Sequence, residues 1–423
     1  MGRASEPAGA EPAGAEPAGP FRFHLLGLPH TATAPEFSAC AYTAKVLKFA
    51  KMMARRGHTV LHYGGENSTV VEYVVRFAPP GFIPIEHVDI LTADERAAFF
   101  GPPDFERVYA GGWEPELPYW RLHNERIIEA LRPRVQERDF ILSLCGTAQT
   151  PVAFAFPGSS TGNPSHGVFV EYGIGYYGVF SAWRCFESHG HREWIHGKAG
   201  NTLADYNDAV IPNYFDADDF TIDVVGAWLA LGDSDRARLS AAGASPGHAF
   251  YLFVGRITPA KGWTVAVEVC ADIGATLILA GQGDPGDLPA HARHVGHIAP
   301  AVRRYLFAAA VASFAPTQYR EPFGGVAVES QLSGCPCITS DHGAFVETVG
   351  EGWRCASHRE YVAAALAACA FDSPMREGMR NAAIRRWSLE AVAPLYERYF
   401  QRVADRWGEG WYAGRAKSEH ATP

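Results

Sequence analysis

Two doubly wound, Rossmann-like α/β domains facing each other across a cleft are the architecture that this sequence predicts, and three observations carry that prediction. Short apolar runs alternate with helical patterns in both halves of the chain, and such alternation builds right-handed βαβ units and parallel sheets. Two apolar runs in the second half, residues 249–254 and 276–280, end on Gly255-Arg256 and Gly281-Gln282-Gly283, as buried parallel strands do where they enter a ligand crevice. The length, 423 residues of which 47% are hydrophobic, exceeds what one core usually serves.

The chain opens with Glu-Pro-Ala-Gly-Ala repeats, and residues 1–20 are too poor in apolar side chains to offset the entropy of ordering. They read as a disordered tail to which no function is attached. Order begins with a strand at 21–27, a loop, and a helix over 38–56 that stops at Gly57. Within that helix Val46, Phe49, Ala50 and Met53 share one face, while Lys45, Lys48, Lys51 and Arg55 fall on others. Such a basic face is expected to be solvated, with peripheral contact to an anionic membrane as the other reading. Residues 59–63, 140–144, 152–156 and 168–170 read as short strands, and 119–131 as a helix. The first domain is placed at 21–212, a linker region rich in Asp at 213–245, and the second domain at 246–386.

A net charge of -9 argues against a general nucleic-acid binder, because phosphate contacts need clustered Lys and Arg. The eight cysteines are scattered and include no CxxC, as expected of free thiols in a reducing, cytoplasmic setting. No window reaches the roughly 18 consecutive apolar residues of a membrane span. The chain start has no apolar core of the secretory kind.

Residues 320–329 concentrate the chemistry. Glu321 and Glu329 bracket a Phe323-Gly324-Gly325 turn that opens a helix. A helix beginning near Gly324 presents unpaired amides and the positive end of its dipole to an anion, and glycine lets that anion approach the backbone. Glu321 is placed to accept hydrogen bonds from sugar hydroxyls, and Glu329, about one and a half turns into the helix, from ribose hydroxyls. An ordinary capped helix with two surface glutamates has the same spelling. Upstream, Gly255-Arg256 at a strand end and Lys261-Gly262 five residues later supply a guanidinium and an ammonium that together neutralise a leaving diphosphate. The Gly281-Gln282-Gly283 turn reads equally well as plain turn chemistry.

In order and spacing these elements resemble the carboxyl-terminal donor domain of retaining glycosyltransferases of the GT-B fold, specifically glycosyltransferase family 4. The resemblance runs from about Asp208 to Val403 and takes in residues 208–213 at the domain junction and 340–347 after Glu329. It implies that Arg256, Lys261 and Glu321 carry the chemistry, the first two on the diphosphate and Glu321 on the donor sugar. It further implies donor binding through Gly255, Gly281, Gly283, His297, Ile298, Phe323, Gly324, Gly325 and Glu329, with the base read by backbone near 295–298. A last helix over 387–410 is implied to cross back onto the first domain. Retention by front-face substitution is implied too, with no metal and no cofactor beyond the nucleoside diphosphate sugar.

The first half departs from the family pattern. The loop after the first strand, residues 28–36, lacks the usual Gly-Gly pair, and where a histidine faces the donor sugar this chain offers Glu171-Tyr172-Gly173. Glu171 and Tyr172, with His166 and Glu187, are therefore the acceptor-side candidates. Asp216-Ala217-Asp218-Asp219 has the spelling of a metal-binding Asp-x-Asp, and His189-Gly190-His191 with His196 that of a ligand set. Neither is assigned a metal; the histidines are expected to be solvated or donor-facing. The expected activity is metal-independent, retaining transfer of a hexose-like sugar to a hydroxyl of a small molecule or glycan. The alternatives are a non-catalytic nucleotide-sugar binding protein and a transferase acting on a modified nucleic-acid base.

Overall fold

The computed structural model describes residues 20–76, 85–103, 111–156, 167–201, 207–350 and 352–406; the repeat of residues 1–19, His166 and the end of the expected 387–410 helix lie outside them. Seven strands form the first sheet: β1 (Arg22–Leu26), β2 (Thr59–Gly65), β3 (Ile85–Leu91), β4 (Phe140–Ser143), β5 (Val168–Ile174), β6 (Trp183–Phe186) and β7 (Asp208–Val210). All its pairings are parallel, in the order β3-β2-β1-β4-β5-β6-β7. The second sheet is six-stranded and parallel: β8 (Tyr251–Val254), β9 (Leu277–Ala280), β10 (Ala292–His294), β11 (Ser313–Ala315), β12 (Cys337–Ser340) and β13 (Gly352–Cys355), ordered β10-β9-β8-β11-β12-β13. In both sheets the order reverses at the first strand of the domain, and open α/β sheets take ligands at the carboxyl ends beside such a switch point. The fold class read from the sequence is the one observed.

Register explains why two of the glycine turns lie together. Val254 pairs with Ala280, so the chains leaving β8 and β9 run side by side, with Gly255 N donating to Ala280 O (3.0 Å) and Ile257 N to Gln282 O (2.7 Å). Gly281 has φ +147°, and a Cβ there would meet Gly255 O at 2.0 Å. Glycine is required there by packing alone.

The helix Leu389–Arg406 crosses from the second domain to the first and completes the first core: the Phe400 ring lies 4.7 Å from Phe23 and 4.9 Å from Phe140. Its Glu397 accepts both Arg56 nitrogens at 2.8 Å and His58 Nε2 at 3.1 Å. Parallel strand-type pairing of Phe215 with Ser388 ties the two crossings of the chain to each other.

Three expectations need correction. Residues 152–156 are not a strand: Thr150–Ala155 is a helix with Pro151 in its first turn. Val152, Ala153 and Phe156 are buried while Phe154 is 70% exposed, a helical spacing that a short apolar run cannot declare in advance. The segment 213–245, expected as a linker region, is itself packed: Ala227, Leu231 and Leu239 join one core cluster with Phe250, Leu252 and Tyr305. The lysines of the Ala41–Arg55 helix, finally, do not form a solvated or membrane-facing surface. Lys45 and Lys51 are buried, and Lys48 is half-buried with its Nζ 4.1 Å from the centre of the Phe215 ring. Lys51 pairs with buried Asp216, and Lys45 Nζ reaches Glu187 Oε1 at 2.7 Å and Gly173 O at 2.5 Å.

Breaking a buried pair by deleting one partner strands a charge and costs roughly 3–5 kcal/mol. Lys51→Ala is accordingly expected to destabilise the first domain by about that amount in denaturant unfolding. Lys51→Met combined with Asp216→Leu should recover most of the loss. A single variant within about 1 kcal/mol of the parent means that Asp216 finds other solvation.

Candidate active site

The glycine-opened helix predicted near residue 324 is Gly325–Leu332, and Gly324 before it has φ +76°. A Cβ at Gly324 would meet the Phe345 ring at 2.4 Å, so the turn admits no side chain there. The preceding loop brings Glu321 against Lys261: Lys261 Nζ donates to Glu321 Oε2 at 2.9 Å and to the Tyr319 hydroxyl at 2.5 Å. Lys261 itself sits on a single 3-10 turn, Pro259–Lys261, ended by Gly262, whose Cβ would fall 2.0 Å from Pro316 O. Sequence-distant residues thus meet because two tight loops at adjacent strand ends pack backbone on backbone.

Arg256 is exposed at the end of β8, and its guanidinium acts on Tyr319 and, across the domain boundary, on Tyr42. Glu329 faces inward from the helix and pairs with Arg303. Lys48 reaches toward it from the first domain; burial lowers that ammonium to about 8, against the pull of Glu329 and Asp219. Gly255 and Gly283 lie in the packed strand-end loops, where a Cβ at Gly283 would meet Ile257 O at 3.0 Å.

Other donor-side candidates have structural occupations. Phe323 is buried at the domain junction, stacked on Phe215 at 6.3 Å. Ile298 belongs to a core cluster, and the carbonyls of Val295 and His297 accept from Arg238 at 2.8 and 3.4 Å.

A cavity of about 540 Å³ opens between the domains. The first domain lines it with Gly190, His191 and Trp194, all on the helix His189–Lys198. The second lines it with Gln318, Arg320, Glu321 and His342. Polar contacts close it from both sides. Ser188 Oγ donates to Pro322 O (2.6 Å), and Glu347 accepts His189 N (2.9 Å) and Gly190 N (2.7 Å). A carboxylate of one domain therefore satisfies first-turn amides of a helix in the other.

The acceptor-side candidates are distributed differently from expectation. Glu171 is fully buried and does not line the cavity; its carboxylate accepts Ser181 N (2.7 Å), Phe180 N (2.9 Å) and the Tyr176 hydroxyl (3.2 Å). Tyr172 is a core residue packed on Phe49 at 4.7 Å. His166 falls outside the described residues. Glu187 pairs with Lys45 and lines a second, smaller cavity with His189, Phe323 and Glu347. The residues that do face Glu321 across the main cavity, His191 and Trp194, carried only the faint signal of a His-x-His beside an aromatic. His191 is buried, its Nε2 3.1 Å from Tyr176 O.

The acidic run 216–219 is likewise structural in part. Asp216 pairs with Lys51 and caps a 3-10 turn, and burial raises Asp219 to about 6. Among the described residues no group of three His, Cys, Asp or Glu side chains has the geometry to hold a metal ion.

Residues 249–371 match the family model for Glycosyl transferases group 1. That segment is similar to group 1 glycosyltransferases, and the two-sheet fold that carries it is GT-B. The whole GT-B architecture is shared with the catalytic domain of starch synthase IV from Arabidopsis thaliana, solved with ADP and acarbose, at TM-score 0.67 and 12% identity over 92% of this chain and 100% of that one. Sucrose-phosphate synthase from Thermosynechococcus elongatus superposes at TM-score 0.61 and 15% identity, covering 91% and 99%. HepE from Anabaena, solved with UDP and glucose, does so at 0.58 and 16%, covering 89% and 98%. Identities this low establish the fold alone. No curated protein sequence matches the chain.

Burial raises the Glu171 carboxyl to about 7, against the pull of its backbone hydrogen bonds. From about pH 4.3, where an unfolded glutamate loses its proton, up to about 7, the folded chain holds the extra proton. The stabilisation is complete below the lower value and is lost as pH rises through the upper one. Relative to Glu171→Gln, the parent should lose unfolding midpoint steadily across that window. Parallel pH profiles for the two proteins would remove this assignment.

Proposed function

We propose that this chain is a metal-independent, retaining glycosyltransferase that moves a hexose-like sugar from a nucleoside diphosphate sugar to a hydroxyl acceptor. The observation that carries the reading is the Lys261–Glu321 pair, 2.9 Å apart, whose Glu321 lines a cavity walled by both domains. Lys261 and Arg256 are the cations that stabilise the departing diphosphate, helped by the first amides of the Gly325–Leu332 helix. Preorganised charge of this kind does the electrostatic work that a metal does elsewhere. Glu321 has a double task, orienting the Lys261 ammonium and accepting from donor-sugar hydroxyls. Glu329, set deeper and paired with Arg303, is the ribose contact.

Retention follows from front-face substitution, in which the leaving diphosphate oxygen takes the acceptor proton. No separate base is then required, in keeping with a Glu171 whose oxygens are committed to the backbone. Eight free thiols fit a reducing, cytoplasmic compartment, and among the described residues no helix is long and apolar enough to cross a membrane.

A thermal-shift series with UDP, ADP, GDP and TDP, with and without a chelator, identifies the base. At about a hundredfold excess over Kd the ligand adds roughly 2.7 kcal/mol, enough to move a midpoint by several degrees. With the matching nucleotide sugar, Lys261→Ala is expected to lower kcat on the order of 100-fold or more, and Glu321→Ala to depress transfer with the nucleotide shift retained. Chelator-insensitive binding together with both losses supports the reading. Variants within a few fold of the parent overturn it.

A further inference from the structure

We infer that the acceptor is a carbohydrate, held on an aromatic platform that the first domain presents across the cavity from Glu321; the inference rests on the transferase reading above. Trp194 lines the cavity opposite Arg320, Glu321 and His342. Its ring stacks with His191 at 6.0 Å and 22°, and meets Tyr177 at 4.6 Å and 58°. Lys198 Nζ lies 4.9 Å from the Tyr177 ring centre and 5.3 Å from that of Trp194. Tyr177 is nonetheless 56% exposed, and its hydroxyl is close enough to the second domain to act on Tyr319.

An exposed ring on a mobile loop would signify little, but the backbone beneath Tyr177 is fixed on every side. Glu171 accepts Phe180 N and Ser181 N, Gly178 O accepts Thr147 N at 2.9 Å, and Tyr176 O meets His191 Nε2 at 3.1 Å. A Cβ at Gly146 would come within 2.9 Å of Gly178 O, so this loop is packed down onto the end of β4. The buried carboxylate that sequence reading assigned to acceptor contact is thus a positioning residue for the ring that makes it. Large exposed apolar surface held rigidly against Trp194, which lines a polar cavity, marks a binding position rather than a core residue.

The chemistry of the two walls selects the ligand. A pyranose shows one face of C–H groups, attracted by the negative face of an aromatic ring, and an equator of hydroxyls that need donors and acceptors. Trp194, with Tyr177 packed beside it, supplies the first; Gln318, Arg320 and His342 supply the second, next to the Glu321 that takes the donor sugar. A flat aromatic acceptor would use the rings but leave that polar wall unanswered. During transfer the acceptor oxygen bonds the donor C1 as the C1–O bond to the diphosphate breaks, and the acceptor proton leaves on the diphosphate.

The test is saturation-transfer NMR on the full chain with each of UDP, ADP and GDP, using maltose, cellobiose and lactose as probes and p-nitrophenol and glycerol 1-phosphate as comparators. At least one disaccharide is expected to bind, with transfer strongest to protons of one ring face. Tyr177→Ala and Trp194→Ala should each weaken that binding about tenfold or more, and Tyr177→Phe should preserve it. The nucleotide-dependent thermal shift should persist in all three variants. Binding of only p-nitrophenol or glycerol 1-phosphate, no disaccharide binding beside an intact nucleotide shift, or an indifferent Tyr177→Ala overturns the inference and leaves the transferase reading standing. Loss of the nucleotide shift in the parent overturns both.

Discussion

Three ammonium groups of one helix, turned inward instead of toward water, are the constraint on which the arrangement of the two domains depends. A lysine stripped of solvent costs several kcal/mol unless a partner meets it. Helix Ala41–Arg55 poses that problem repeatedly, and the structure answers it each time with a residue from a different part of the chain. Glu187 and Gly173 O meet Lys45, Asp216 meets Lys51, and the Phe215 ring with the field of Glu329 meets Lys48. These partners come from the strand ends of the first sheet, from the domain crossing and from the second domain. The helix therefore acts as an electrostatic spine that both halves must address.

Around that spine the cavity is assembled by satisfying backbone rather than by stacking more charge. Glu347 closes the first turn of the helix carrying His191 and Trp194, and Ser188 reaches the carbonyl of Pro322 beside Glu321. Both contacts join the second domain to the start of the His189–Lys198 helix in the first. Their hydrogen bonds are charge-assisted or directed at carbonyls, so they set orientation as well as distance. The polar groups at the cavity are thus held before any substrate arrives, which is the condition for electrostatic stabilisation of a leaving group.

The second domain was far more legible than the first. Strands β8 and β9 are continuous apolar runs ending in glycine, and the candidate residues Lys261 and Glu321 lie within short loops beside glycines that allow no Cβ, Gly262 against the Pro316 carbonyl and Gly324 against the Phe345 ring. Phe323 and Ile298 pack into apolar clusters, and an apolar residue beside a motif has the same spelling whether it faces a ligand or a core. In the first domain Glu171 drew attention as a carboxylate near a strand end. Nothing local says that its neighbours Phe180 and Ser181 turn back to donate to it. Residues 152–156 failed as a strand for a related reason: five apolar residues fit either period until burial separates Phe154 from the rest.

By itself the sequence determined what local physics controls: the strand and helix periods, the parallel α/β class, the glycine turns, and the acidic and basic motifs around a glycine-opened helix start. Those properties follow from side chains and φ/ψ limits within a few residues of one another. Tertiary structure alone decided which charges are buried and what faces them. Lys45, Lys48 and Lys51 have the spacing of a solvated stripe and become interior groups only because strands and a crossing helix from more than a hundred residues away enclose them. The same holds for Trp194, an ordinary aromatic in sequence packed on Tyr177, whose place opposite Glu321 exists only once two separately wound sheets close on a common cavity.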